Sequence, residues 1–277
     1  MTKRSPDEGT DMTNLGVIFP PDQPPDNLRA VALAAERAGL DQLWLWEDCF
    51  KESGIATAAA VLGWTSRLRV GIGLLPVPLR NVALTAMELA TLERLFPGRL
   101  LPGLGHGVSD WMAQVGGLVD SPMTLLREYA AALRSLLAGE EVTTQGRYLK
   151  LDKVKLDWPP SIPPPLYIGG VRRRTVTLAG ELGDGVILTG DTSLADMAAA
   201  TTWLREGRRM AGRDGAPDAV VFIPIVDRPE AEEIAQIVGE FAERGATHVA
   251  LLSVGDDKPV LTEFAHFIGT EVQPLVG

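Results

Sequence analysis

The sequence predicts a (β/α)8 TIM barrel with an insertion between its fourth and fifth strands. Three observations point there. Short β-rich runs alternate with amphipathic helical stretches in eight successive units. The β-rich runs, such as "LGVIF" (15–19) and "AVVFIPIV" (219–226), are almost continuously apolar, as parallel strands buried on both faces must be. The chain has 277 residues, close to the roughly 250 of a closed barrel. An open, doubly wound sheet is the competing arrangement; the count of eight units favours closure.

The elements follow in order. After strand 15–19 comes "DNLRAVALAAERAG", a helix that Gly39 can close. "QLWLW" (42–46) is the second strand and "GIATAAAVLGWT" the second helix. "LRVGIGLL" (68–75) is the third strand. Its helix, "NVALTAMELATLERLF", has Asn81 as N-cap and Pro97-Gly98 as its stop. "RLLPGLG" (99–105) is the fourth strand. A longer connection then leads to "SPMTLLREYAAALRSLLAG", with Ser121 as cap and Pro122 at the first helical position.

"EVTTQGRYLKLDKVKL" reads as an inserted hairpin turning near Gly146, and the extended "WPPSIPPP" ends the insertion. "PLYIGG", "GVILTG", "AVVFIPIV" and "HVALLSV" are the last four strands, each followed by a helical stretch. Residues 14–277 thus form a single barrel domain, and the polar segment 1–13 reads as a disordered leader.

Composition narrows the function. Lys plus Arg number 26 and Asp plus Glu 36, a net charge of −10, which argues against nucleic acid or an anionic membrane as partner. No apolar run reaches the roughly 18 residues of a membrane span, and the start of the chain has no apolar signal-peptide core. The lone Cys49 allows no internal disulfide and fits a reducing cytoplasm. His106, His248 and His266 are too far apart for zinc-type spacing, so no metal site is expected. A serine-hydrolase G-x-S-x-G motif is absent as well.

A barrel carries its chemistry at the C-terminal ends of its strands. After the second strand stand Glu47 and Asp48, which face opposite ways if the chain is extended. Beside Trp44 and Trp46 a half-buried carboxyl would have a raised pKa and could handle protons; a polar loop start is the alternative. After the third strand Gly71 and Gly73 mark a bulge, a kink or close approach by a ligand. After the fourth, "GLGHG" frames His106 with Gly105 and Gly107, leaving room for a flat ring beside a hydrogen-bonding histidine. After the fifth, Gly169 and Gly170 precede Val171 and three arginines at a helix start, an anion site by its amides and charge. Thr189 and Gly190 follow the sixth strand next door, and Ser193 reads as an ordinary N-cap. His248 begins the eighth strand, at the opposite end from the chemistry.

These segments resemble the luciferase-like monooxygenase superfamily, and most closely its deazaflavin (coenzyme F420)-dependent oxidoreductase branch. The resemblance runs roughly from Leu15 to Thr189. It is carried by "RLRVGIGLLPVPLRNVALTAMELATLERLFPGRLLPGLGHG", with its A-x-E-x-A-T-L helix and glycine-rich strand, and by "LAGELGDGVIL".

The resemblance implies a homodimeric barrel binding coenzyme F420, with FMN as the alternative cofactor. It implies a bulge at Gly73–Leu74, often with a cis peptide, behind the ring. It places Asp48, Glu47 and His106 at the ring and its proton chemistry. Gly105 and Gly107 would lie beside the ring, and Gly169, Gly170, Val171 and Arg172 would hold the phosphate with Thr189 and Gly190. Asp48 stands where the deazaflavin branch has its aspartate. Cys49 departs from the usual histidine, and His106 is the substitute for its proton-donor role. Val108 stands where some sugar-phosphate-oxidising members have a carboxylate, which argues against such a substrate. The implied function is hydride transfer between the deazaflavin and a small organic substrate. The alternatives are an FMN-dependent monooxygenase and a non-catalytic barrel that only binds the coenzyme.

Overall fold

The computed structural model describes residues 13–276. The polar start of the chain, expected to be a disordered leader, lies outside the described residues except for Thr13.

The first half of the barrel is β1 (Asn14–Phe19), α1 (Leu28–Arg37), β2 (Gln42–Leu45), α2 (Gly54–Trp64), β3 (Arg69–Pro76), α3 (Val82–Leu95) and β4 (Leu100–Gly105). A short helix α4 (Ser109–Gln114) precedes α5 (Pro122–Leu137). The hairpin β5 (Val142–Gln145) and β6 (Lys150–Val154) follows. The second half is β7 (Tyr167–Gly169), α6 (Arg173–Leu182), β8 (Gly185–Leu188), α7 (Leu194–Met210), β9 (Asp218–Val226), α8 (Ala231–Ala242), β10 (His248–Val254) and α9 (Leu261–Phe267).

Eight parallel strands close in the order β1-β10-β9-β8-β7-β4-β3-β2. The closing pair aligns Leu15 with Val249 and Val17 with Leu251. Pairing of β4 with β7 bridges the insertion, whose two strands form a separate antiparallel sheet. The insertion is tied to α5 by Glu128, whose carboxylate accepts the backbone N–H groups of Arg147, Tyr148 and Leu149. The helix α4 was not expected from the sequence. Its single turn and a half, interrupted by Gly116 and Gly117, is too short to show an amphipathic period.

Local signals set several boundaries. The Asn81 side chain accepts the N–H of Ala83 at 2.9 Å and opens α3. Ser193 and Asp196 form a reciprocal capping box on α7. Gly39, at φ +84°, ends α1, and the Leu40 N–H returns to the Ala35 carbonyl. Ser121 holds the N-cap position of α5, but its hydroxyl pairs with that of Thr124 at 2.8 Å instead of capping an amide.

Two apolar regions result. The larger packs the outer faces of the strands against the helices. The smaller fills the barrel itself, with Ile18, Trp44, Leu101, Tyr167, Ile187 and Phe222 among its members. Below it, at the N-terminal end, Trp44 donates to Gln42, Gln42 meets His248, and Tyr167 donates to Asp218. Satisfied polar groups thus close the floor, and His248 belongs to this structural network.

Candidate active site

A cavity of about 480 Å³ opens at the C-terminal mouth of the barrel. That volume lies within the range of small-molecule sites. Its wall begins with a bulge in β3, where the pairing with β4 shifts between Ile72 and Leu75 and the Gly73–Leu74 peptide is cis. The neighbouring Cys49–Phe50 peptide is cis as well, which the sequence did not suggest.

The bulge pushes Leu74 toward three glycines on the next two strands. A Cβ on Gly103 would meet Leu74 at 2.9 Å and one on Gly105 at 2.7 Å, and one on Gly169 would overlap the same side chain. Gly105 and Gly169 therefore serve Leu74 first: their missing side chains form its seat, whereas a Cβ on Gly103 would meet Ile187 and the Ile72 carbonyl before Leu74. This changes the reading of Gly105, expected beside a ring. It is buried, does not line the cavity, and acts on the site through Leu74.

Ten of the expected residues do line the cavity. Glu47 and Asp48 come from the end of β2, Gly73 and Leu74 from β3, His106 and Gly107 from the end of β4. Gly169 and Gly170 follow β7, and Thr189 and Gly190 follow β8. Val171 and Arg172 do not line it: both are exposed, beyond Gly170 at the outer rim, with Arg172 at the N-cap position of α6. Arg173 is turned to an ion pair with Glu206 on α7 at 3.1 Å. Among the described residues Arg172 and Arg174 make no ion pair.

The adjacent carboxylates have separate jobs, as extended neighbours should. Glu47 is buried, accepts the N–H of Gly54 at 2.7 Å, and pairs with Arg80 at 3.1 Å. It fastens the end of β2 to the start of α2 and to the β3–α3 connection. Among the described residues Asp48 has no such partner, and burial pushes its carboxyl pKa up, against a smaller opposing pull from Lys51. Burial also pushes the Cys49 thiol up. His106 places Nε2 at 3.4 Å from the Thr175 hydroxyl on α6, and the Pro122 backbone at the start of α5 is a second neighbour of its ring. Burial lowers the pKa of His106, so the neutral imidazole is favoured at pH 7.

Sequence reasoning missed Phe222 altogether. It stands on β9 in mid-strand, where an apolar run gives no sign of which side chains face inward. It stacks on Trp46 at 5.8 Å between ring centroids, and both line the cavity with Trp111 and Val108. Arg80, part of the arginine-plus-asparagine loop after β3 that contributes to the resemblance, carries no site role in the sequence reading. Among the described residues no three His, Cys, Asp or Glu side chains converge as a metal set.

Several known proteins resemble the chain. The 5,10-methylenetetrahydromethanopterin reductase of Methanolobus tindarius is 29% identical over 246 residues, spanning 87% of this chain and 75% of that one. The F420-dependent glucose-6-phosphate dehydrogenase of Kineococcus radiotolerans is 34% identical over 219 residues, spanning 73% and 64%. An F420-dependent secondary alcohol dehydrogenase, solved in complex with an F420-acetone adduct, shares the fold. Its TM-score is 0.86 at 22% identity, over 96% of this chain and 99% of that one. With residues 4–269 matching the family described as luciferase-like monooxygenase, nearly the whole chain is accounted for, and the protein belongs to that family.

Proposed function

We propose that the protein is an enzyme, an oxidoreductase that moves a hydride between the deazaflavin coenzyme F420 and a small organic substrate. The observation that carries this reading is the Leu74 seat. A bulged strand and the two glycines Gly105 and Gly169 hold one side chain as a fixed wall of a cavity at the catalytic end of the barrel. Such a wall suits a flat ring that must be held still against a second reactant. The relatives that use F420 support the choice of coenzyme.

The lining fits the group. Its wall is apolar at Leu74, and Gly73, Gly107, Gly169, Gly170 and Gly190 leave the backbone open to a flat group. When bound, the deazaflavin supplies a ring carbon that accepts or donates hydride. Gly73 and Leu74 back the ring, and Gly107 leaves room beside it. Gly169, Gly170, Val171 and Arg172, with Thr189 and Gly190, hold the phosphate at the start of α6. Asp48 and His106 exchange the accompanying proton with the substrate, one raised and one lowered toward neutrality by burial. Glu47 positions this loop. We further propose a cytoplasmic homodimer, supported by the free thiol of Cys49 and by exposed Leu84 and Met87 on α3.

Titrating purified protein with oxidised coenzyme F420, followed by fluorescence and absorbance, tests the reading. A saturable change at micromolar coenzyme is expected. No response would overturn it, and tight FMN binding in its place would move the protein to the flavin-dependent monooxygenases.

A further inference from the structure

We infer that the substrate is an uncharged, predominantly apolar organic molecule, and that anionic substrates such as sugar phosphates or carboxylates are rejected by the site. This deepens the proposed function and rests on it for the location of the site.

Among the described residues no lysine or arginine lines the cavity. Arg80, just outside the lining, is committed to Glu47, and its side chain is 14% exposed. Lys51 is exposed, and its field acts on Asp48. Arg172, Arg173 and Arg174 are exposed beyond Gly170, at the rim assigned to the coenzyme phosphate, and Arg173 is paired with Glu206. An anionic group in the cavity would therefore leave water, find no cation, and meet the Asp48 carboxylate. Burying a charge without a partner is strongly unfavourable.

What the cavity offers is apolar surface. Trp46 and Phe222 stack into a wall, and Trp111 and Val108 add to it from the connection after β4. The apolar surface continues outward. Phe50 on the β2–α2 loop is 64% exposed, and Val115 and Leu118, beyond α4, are 42% and 56% exposed. These residues sit on loops at the same end of the barrel. A substrate longer than the cavity would extend over this collar.

Two probes of matched length separate the possibilities: 2-octanone and octanoate. Trp46 and Trp111 line the cavity, so intrinsic tryptophan fluorescence reads occupancy with or without coenzyme. The wild-type protein should bind 2-octanone at least tenfold more tightly than octanoate, and glucose 6-phosphate should not compete. Val108→Arg, at an exposed position, should raise the affinity for octanoate at least tenfold by supplying the missing cation. Trp46→Ala should weaken 2-octanone at least fivefold. Equal or tighter binding of octanoate or glucose 6-phosphate by the wild type would overturn the inference, as would an unchanged octanoate affinity in V108R. Failure of the proposed function shows separately, as the absence of any response to coenzyme F420 while the probe preference persists.

Discussion

Replacing Arg80 by alanine should cost the protein about 3 kcal/mol of stability, far more than an ordinary ion pair. Arg80 and Glu47 meet at 3.1 Å with side chains only 14% and 5% exposed. Removing one partner of a buried pair leaves an uncompensated charge, at about 3–5 kcal/mol. The surviving bond from Gly54 N–H to Glu47 places the expected loss at the lower end. Urea unfolding at pH 7 measures it. Arg80→Ala with Glu47→Gln should recover at least ~1 kcal/mol of the loss, because the double variant has no buried charge to leave unpaired. The exposed pair of Arg147 with Asp120, whose side chains are 54% and 90% exposed, provides the control. Asp120→Ala should stay within the ~0–1 kcal/mol of surface pairs. If Arg80→Ala falls in that same small range, Glu47 is not the anchor of the loop, and the division of labour between Glu47 and Asp48 fails with it.

Three further outcomes follow from the site. Asp48→Asn should lower turnover by about 10²–10⁴-fold, the usual contribution of a proton-transferring group. It should also stabilise the fold at pH 7: a carboxyl whose folded pKa is raised by burial contributes stability at low pH that is lost as pH rises through that pKa. A destabilised D48N at pH 7 in urea would contradict this assignment. The His106 imidazole is held below its ordinary pKa by burial, so the unfolded chain binds the proton more readily. Stability should therefore fall as pH drops below about 6.5, the unperturbed histidine value, and His106→Gln should flatten this part of the pH–stability curve. An identical slope in wild type and variant would assign the loss to other groups. Arg172→Ala should weaken coenzyme F420 binding about tenfold by fluorescence titration, and more than Arg174→Ala. The reverse order would shift the phosphate register along α6.

The sequence by itself determined the barrel. Eight apolar runs between amphipathic helices require a parallel sheet covered on both faces, their number favours closure over an open doubly wound sheet, and the eight strands lie where those runs are. It also located the rim segments, because the end of a strand is a one-dimensional fact: Asp48, His106, Gly169 and Thr189, which all line the cavity, could be named from position alone. What it could not carry was the purpose of each residue across strands. Gly105 reads as space for a ring and Gly169 as part of a phosphate cradle, but in three dimensions the space over both is taken by Leu74 from β3. Glu47 and Asp48 are adjacent in the chain, yet one is spent on Arg80 and Gly54 and the other is left to the cavity. Phe222 is one apolar residue in an apolar strand until barrel closure brings it against Trp46. Periodicity reports the face a residue shares with its own element. The partner on another element is fixed only by register and closure, and in this protein those partners decide which side chains build the wall and which remain for chemistry.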